Sequence, residues 1–474
     1  MSTLSTAHLT AADAPPRADA ERALRRAVEF FHDDVSSHGG YLWYYSGDLT
    51  LREAEGTATE TQAWVQPPGT PTIGEAFLDA YEATGDEFYL NAARRSADVL
   101  VRGQLQSGGW DHGIELDPAK RQTHGYRNND AYRPSRRKKN PTNRTSLDDD
   151  ISQSAARFLM RLDKTLGFKD ERLHEAVGYA LDSMLRAQRP SGGWYQWWDR
   201  WPEPVSERKF PVKQASYPKD WSRKWLNDWT GRYYLNDDVA ANSIETLLLA
   251  WETYGEERYL HGASQAGSFL LLAQMPDPQP AWAQQYNVEM HPVWDRKFEP
   301  PAISGLESQS VLETLLLLYR KTGEEKYLEP LPRALAYLKQ SRLPDGRLAR
   351  FYELETNRPL YFTRDYQLTY SADRVPRHYG FAFESRLDKI EAEYERLRNT
   401  DRAKRQTADD EKPPTLTPEL IAETRRVIDR LDKRGAWVER GRHDYHDVEP
   451  ESAIIRSATI VKYYETLCRF LAAQ

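Results

Sequence analysis

Tyr254-Gly255-Glu256-Glu257-Arg258-Tyr259-Leu260 and Thr322-Gly323-Glu324-Glu325-Lys326-Tyr327-Leu328 are one turn written twice. In each, an apolar helical run stops at a glycine, the residue that most readily takes the left-handed position closing a helix. Glu-x-x-Tyr-Leu then restarts a second helix with acidic side chains at its positive end. Looser copies stand at Thr84-Gly85-Asp86-Glu87-Phe88-Tyr89-Leu90 and Leu166-Gly167-Phe168. The four glycines are 82, 88 and 68 residues apart, so the helical pairs are constant while the loops joining them vary. That is the signature of a helical-hairpin array. The second helices run out into a further turn at Ser107-Gly108-Gly109-Trp110, Gly192-Gly193-Trp194, Ala281-Trp282 and Gly435-Ala436-Trp437; the fourth copy closes at Asp345-Gly346-Arg347.

The expected fold is therefore all-α, an α/α toroid of repeated hairpins with strands confined to loops. Its inner helices start near Thr72, Leu147, Asp237, Ile303, Phe381 and Ser452. In such a toroid the short glycine turns fall at one rim, and the long loops, around 110–146, 194–236, 282–304 and 347–376, converge on a cleft at the other. Residues 1–18, rich in Ala, Thr and Pro, read as a disordered leader. Residues 19–474 then form one catalytic toroid domain, with the charged stretch 400–416 as a mobile linker before the last hairpin.

Composition narrows the function. With 39% hydrophobic and 12% aromatic residues in 474, the chain can bury a large core. A net charge of -7 gives no global attraction to a polyanion, so nucleic acid is not an expected partner and an acidic ligand needs a local basic cluster. The single cysteine, Cys468, excludes an intrachain disulfide and a cysteine-rich metal site. No run of 18 apolar residues exists, so no membrane span is expected, and no signal peptide is visible.

Three helix starts are acidic: Ser146-Leu147-Asp148-Asp149-Asp150, Asn236-Asp237-Asp238 and Ser304-Gly305-Leu306-Glu307. Each alone is a well-capped helix, with Asn236 as the expected cap of the second. Brought to one rim, they would make a site. The loop after Trp194 adds Trp197, Trp198, Trp201, Trp221, Trp225 and Trp229, interleaved with arginines and lysines. Aromatic faces for sugar rings and cations for carboxylates suit an acidic saccharide. Arg133-Pro134-Ser135-Arg136-Arg137-Lys138-Lys139 is a second basic run, of the kind that is usually solvated.

Gly192-Gly193-Trp194, Asn236-Asp237-Asp238, Ala281-Trp282-Ala283-Gln284-Gln285-Tyr286, Arg296-Lys297-Phe298-Glu299-Pro300-Pro301 and Glu353-Leu354-x-Thr356-Asn357-Arg358-Pro359, followed by Arg364-Asp365, together resemble the pectate lyases of polysaccharide lyase family ten. The order holds across roughly the second half of the chain. The resemblance implies a lyase that cleaves an acidic, uronate-containing polysaccharide by β-elimination, with calcium bridging an acidic cluster to the uronate carboxylate. Carried over by position, Asp237, Asp238 and Glu299 are the metal candidates, and the catalytic candidates are Arg364, as the proton-abstracting base, and Asp238. Trp194, Trp198, Arg296, Lys297, Arg377 and Lys462 are the substrate-binding candidates. Asn287 stands where family members often have aspartate, and the basic residue near the final helix matches only as Lys462. A polymer substrate implies a periplasmic or secreted enzyme.

The residues leave other chemistries open. A glycoside hydrolase or sugar epimerase on the same toroid would use paired carboxylates such as Asp149 and Asp238. Gln188-x-x-x-Gly192-Gly193-Trp194 with Leu147-Asp148-Asp149-Asp150 suggests a terpenoid cyclase, although a mean hydropathy of -0.79 argues against an apolar cavity. A non-catalytic saccharide binder would lack an organised acid, base or metal.

Overall fold

The computed structural model describes residues 14–130, 132–133, 142–400, 414–446 and 451–474. The basic run after Arg133, the leader as far as residue 13 and linker residues 401–413 lie outside the described residues.

Hairpins dominate. In the first half of the chain, α1 (Arg17–Glu29) is followed by the pair α2 (Thr70–Thr84) and α3 (Glu87–Gly103), then α4 (Ile151–Thr165) and α5 (Glu171–Ala187). Next come α6 (Val239–Tyr254) with α7 (Glu257–Ala273), α8 (Gly305–Thr322) with α9 (Leu331–Gln340), and α10 (Leu387–Arg398). The chain ends with α11 (Pro418–Arg430) and α12 (Ser457–Ala472). Successive hairpins of this kind are the all-α, α/α-toroid class expected from the repeats. Gly255 (φ 71°) and Gly323 (φ 72°) close α6 and α8 in the left-handed conformation, their N–H groups donating to the carbonyls of Trp251 and Tyr319 at 2.8 Å.

Each Gly-Trp turn is locked in the same way. The indole N–H of Trp110 donates to the Leu100 carbonyl, that of Trp194 to Met184, that of Trp282 to Leu270 and that of Trp437 to Val427, all at 2.8–2.9 Å. A glutamine at the end of the second helix ties each of three hairpins to the next. Gln104 Nε2 donates across its own turn to Gly108 and onward to the Ala176 carbonyl. Gln188 joins Gly192 to Gly262, and Gln274 joins Pro280 to Pro330. These bonds satisfy carbonyls that the helix ends and turns leave without partners.

The chain divides into two compact units. The first draws on Met1–Ser146, Ser154–Ala180 and Glu411–Gln474. In it α12 packs beside α2 and α1, so the last helix returns to the first hairpin, and strands Tyr44–Ser46 and Ser452–Arg456 pair antiparallel in a five-stranded sheet. The second comprises Leu147–Gln153 and Leu181–Asp410. Here α8 packs on α6 and α10, and strands Ala302–Ser304, Phe351–Glu353, Pro359–Phe362 and Leu368–Thr369 form an antiparallel sheet over an aromatic cluster of Trp294, Phe298, Phe351, Phe362 and Phe381.

Four of the expected helix starts fall within four residues of the observed ones. The start expected near Phe381 is displaced to Leu387, because Ala382–Phe383 pairs as a short strand with Leu348–Ala349. The start expected near Ser452 moves to Ser457 for the same reason, Ser452–Arg456 being the strand that pairs with Tyr44–Ser46. Among the described residues no helix is long and apolar enough to cross a membrane.

Candidate functional site

Two of the acidic helix starts adopt one unusual shape. Ahead of α4, Asp148–Asp150 form a short 3-10 turn in which Asp149 and Asp150 have φ of 43° and 62°. Ahead of α6, Asn236–Asp238 repeat it, with Asp237 and Asp238 at 51° and 55°. Left-handed backbone at two successive non-glycine residues is strained and concentrates at functional sites. The consequence concerns the side chains. Carboxyl oxygens of Asp148, Asp149 and Asp237 come within 4.8 Å of one another, the grouping among the described residues that could hold a metal ion.

All three belong to the second unit. Asp237 is the electrostatic centre: burial first, then the negative charges of Asp148 and Asp149, push its carboxyl well above the ordinary range, and Arg296 only partly offsets them. Gln196 Nε2 donates to Asp148 Oδ1 at 2.5 Å. Asn236 is not the expected helix cap. Its Nδ2 donates to Asp237 Oδ2 while its Oδ1 accepts from Gln284 Nε2 at 2.8 Å, and no side-chain cap forms at this turn.

Arg296 faces the trio from the neighbouring loop, its Nη2 4.0 Å from Asp237 Oδ2. Glu299 grips the guanidinium through two bonds of 2.8 and 2.5 Å, and the Tyr379 hydroxyl donates to Glu299 Oε1 at 2.8 Å. The Arg296 side chain remains 44% exposed, which leaves it open to an anionic ligand.

The structure separates the sequence candidates. Asp237 joins the trio. Asp238, adjacent in sequence, turns to other partners: burial raises its carboxyl, the Ser310 hydroxyl lowers it, and Glu307, Arg386 and Glu313 are its charged neighbours. Glu299 is committed to Arg296 and stands outside the three-carboxylate grouping. Trp194 is fully buried and hydrogen-bonded to Met184, so its face is closed to a sugar, whereas Trp198 is half-buried with its N–H on Ser183 Oγ at 3.1 Å. Lys297 Nζ lies 3.6 Å over the Tyr366 ring. Arg364 is exposed in the turn between strands Pro359–Phe362 and Leu368–Thr369, and Arg377 is exposed in the loop that follows. Lys462 is exposed on α12 of the first unit.

Three further residues matter. Gln196 and Tyr379 are loop residues that no repeat pointed to. Asp295 is buried beside Arg296 and accepts the Tyr234 hydroxyl at 2.9 Å. Burial, then Glu299, raise its carboxyl to about 6, with Asp148 a smaller contributor.

No protein-family model and no curated protein matches the chain. Solved structures align with it at low identity. A mutant of a family 10 polysaccharide lyase from Cellvibrio cellulosa, in complex with trigalaturonic acid, is 17% identical over 69% of this chain and 98% of its own, with a TM-score of 0.45. Cellobiose 2-epimerase from Bacillus thermoamylovorans B4167 is 14% identical over 96% and 98%, with a TM-score of 0.48. An inactive variant of an α-1,6-mannanase from Salegentibacter sp. HEL1_6, in complex with α-1,6-mannotetrose, is 10% identical over 97% and 99%, with a TM-score of 0.42. By name these proteins carry three different activities, and the similarity does not choose among them.

Proposed function

We propose that the chain is a lyase of acidic, uronate-containing polysaccharides that works by β-elimination with a divalent cation at Asp148, Asp149 and Asp237. The observation that carries this reading is the convergence of three carboxylates beside a half-exposed arginine. The donor set fits a hard cation such as calcium, since every ligand is a carboxylate oxygen; burial first and then repulsion from Asp148 and Asp149 raise the Asp237 carboxyl, and a bound cation would relieve the repulsion. When bound, such an ion draws charge from the substrate carboxylate and so acidifies the proton on the adjacent carbon.

The chain's own residues do the rest. Arg296, held in orientation by Glu299, pairs with a uronate carboxylate delivered to the trio. Arg364 takes the proton in this reading, as the resemblance implies. Its exposed turn belongs to the same unit as the trio. A polymeric substrate fits a periplasmic or secreted enzyme.

One observation favours a second reading. A carboxyl raised as far as that of Asp237, beside the carboxyl groups of Asp148 and Asp149, is also the acid–base arrangement of a glycoside hydrolase. Polygalacturonate turnover with calcium or with excess chelator separates the two. Elimination leaves a double bond conjugated to the uronate carboxylate and absorbs in the ultraviolet; hydrolysis yields reducing ends without that absorbance. The expected outcome is calcium-dependent ultraviolet product, with Arg364→Lys keeping substrate binding and losing saturating rate. Full activity in chelator, or an unchanged saturating rate in Arg364→Lys, would remove the metal or the base, respectively.

A further inference from the structure

The third acidic helix start supplies no ligand to the trio, yet it is joined to the second by an unbroken line of side chains. Glu307, on the first turn of α8, is 2% exposed and accepts from Gln284 Nε2 at 2.9 Å. The same Nε2 donates its other hydrogen to Asn236 Oδ1 at 2.8 Å, and Asn236 Nδ2 donates to Asp237 Oδ2. Gln284 and Asn236 are 2% and 1% exposed, so water does not replace either bond. Behind Glu307, the Ser304 hydroxyl donates to Oε2 and Arg350 Nη2 stands 3.4 Å from Oε1.

We propose that Glu307 is a positioning residue for Asp237, acting through Gln284 and Asn236; this rests on the cation-site reading above. The Ser304 hydroxyl donates to Glu307 and the Arg350 guanidinium faces it, so its oxygens serve as acceptors and Gln284 presents its NH2 group to them. That NH2 meets the Asn236 carbonyl oxygen, which leaves Asn236 with only its NH2 to offer Asp237. A flip of either amide would set a carbonyl against a carboxylate in a buried place; Gln284 Oε1 lacks a partner as it stands, so it is this repulsion between acceptors, and not the partner count, that holds the orientation. Two carboxylates at the ends of a two-amide relay therefore fix its direction. Asp237 Oδ2 is held by a donor, the carboxylate plane is set, and Oδ1 is left uncommitted by the relay. The partners behind a ligand of this kind set the orientation of the metal-binding group.

Calcium binding to the full chain, followed by isothermal titration calorimetry, tests this without any substrate. Glu307→Gln keeps the shape but can donate or accept, which removes the directional constraint although the residue touches no trio member. It is expected to weaken calcium affinity about 10-fold. Gln284→Met cuts the relay, and in that background Glu307→Gln should cause no further loss. Unaltered calcium affinity in Glu307→Gln, or a loss that adds in full to that of Gln284→Met, would overturn the proposal. A second readout is independent of the metal. In a double-mutant cycle on the unfolding equilibrium, Glu307→Gln and Asn236→Ala should couple several-fold when Gln284 is present and not in Gln284→Met. A wild-type chain that takes up no calcium but retains this coupling would sink the cation reading and support the relay; no coupling would overturn the relay whatever the cation does.

Discussion

Asp295 shows how much of the site's character lies in single buried groups. Its side chain is 6% exposed, its Oδ1 accepts the Tyr234 hydroxyl, and its backbone carbonyl accepts the Trp225 indole at 2.7 Å. Burial, then Glu299, lift its carboxyl from 3.8 to about 6, with Asp148 adding to the shift. In the unfolded chain the group ionises near 3.8, so between there and about 6 the folded state holds a proton that the unfolded state has lost. Stability is thus fullest below this window and falls as pH rises through it, by roughly 3 kcal/mol for a shift of this size. Asp295→Asn keeps an acceptor for Tyr234 and has no charge to bury. Thermal unfolding should find the variant more stable than wild type at pH 8 and little different at pH 4. Parallel pH profiles for the two proteins would show that Asp295 is not the group responsible.

At the scale of elements, the hairpin turns explain why the fold is legible in sequence and why the roles of the turn residues are not. Glycine stops at residues 85, 167, 255 and 323 are a local backbone requirement, so they can be seen in the chain without any tertiary knowledge. Gln188-x-x-x-Gly192-Gly193-Trp194 is equally visible, but read alone it suits a cyclase motif or, through Trp194, a sugar platform. Both side chains are in fact spent on the scaffold, Gln188 on the Gly192 and Gly262 carbonyls and Trp194 on that of Met184. What hid this is distance: Gly262 lies 74 residues away, and no local pattern announces a partner so remote. Gln188→Leu removes the donor from both carbonyls. It should destabilise the protein by about 1–3 kcal/mol, measured by urea unfolding, while leaving saccharide affinity unchanged. A lost affinity at unchanged stability would return Gln188 to the site. The helix starts misplaced at Phe381 and Ser452 have a similar cause, since short strands paired there only once distant segments arrived.

For the molecule as a whole, the acidic helix starts were visible in sequence, but which carboxylates would meet was not. Asp237 and Asp238 are neighbours in the chain, yet even a regular helix would turn adjacent side chains about 100° apart. Left-handed geometry at both sends one to Asp148 and Asp149 and the other toward Ser310 and Arg386. The trio lies wholly in the second unit, although Asp148 and Asp149 come from a seven-residue stretch, 147–153, that is separated in sequence from the rest of it. A cation there would pin that stretch to the start of α6. Ligand binding stabilises the folded site by about 2.7 kcal/mol at a hundredfold excess over its dissociation constant. Local openings that break the site are suppressed by the same amount, whereas openings elsewhere in the chain are not. Hydrogen exchange with and without calcium should therefore slow at 148–153 and 236–243. The five-stranded sheet of the first unit, with its strands Tyr44–Ser46 and Ser452–Arg456, should exchange at the same rate in both conditions. Equal slowing in the two regions would mean that calcium acts on global unfolding, and no slowing at the two helix starts would mean that the three carboxylates hold no cation.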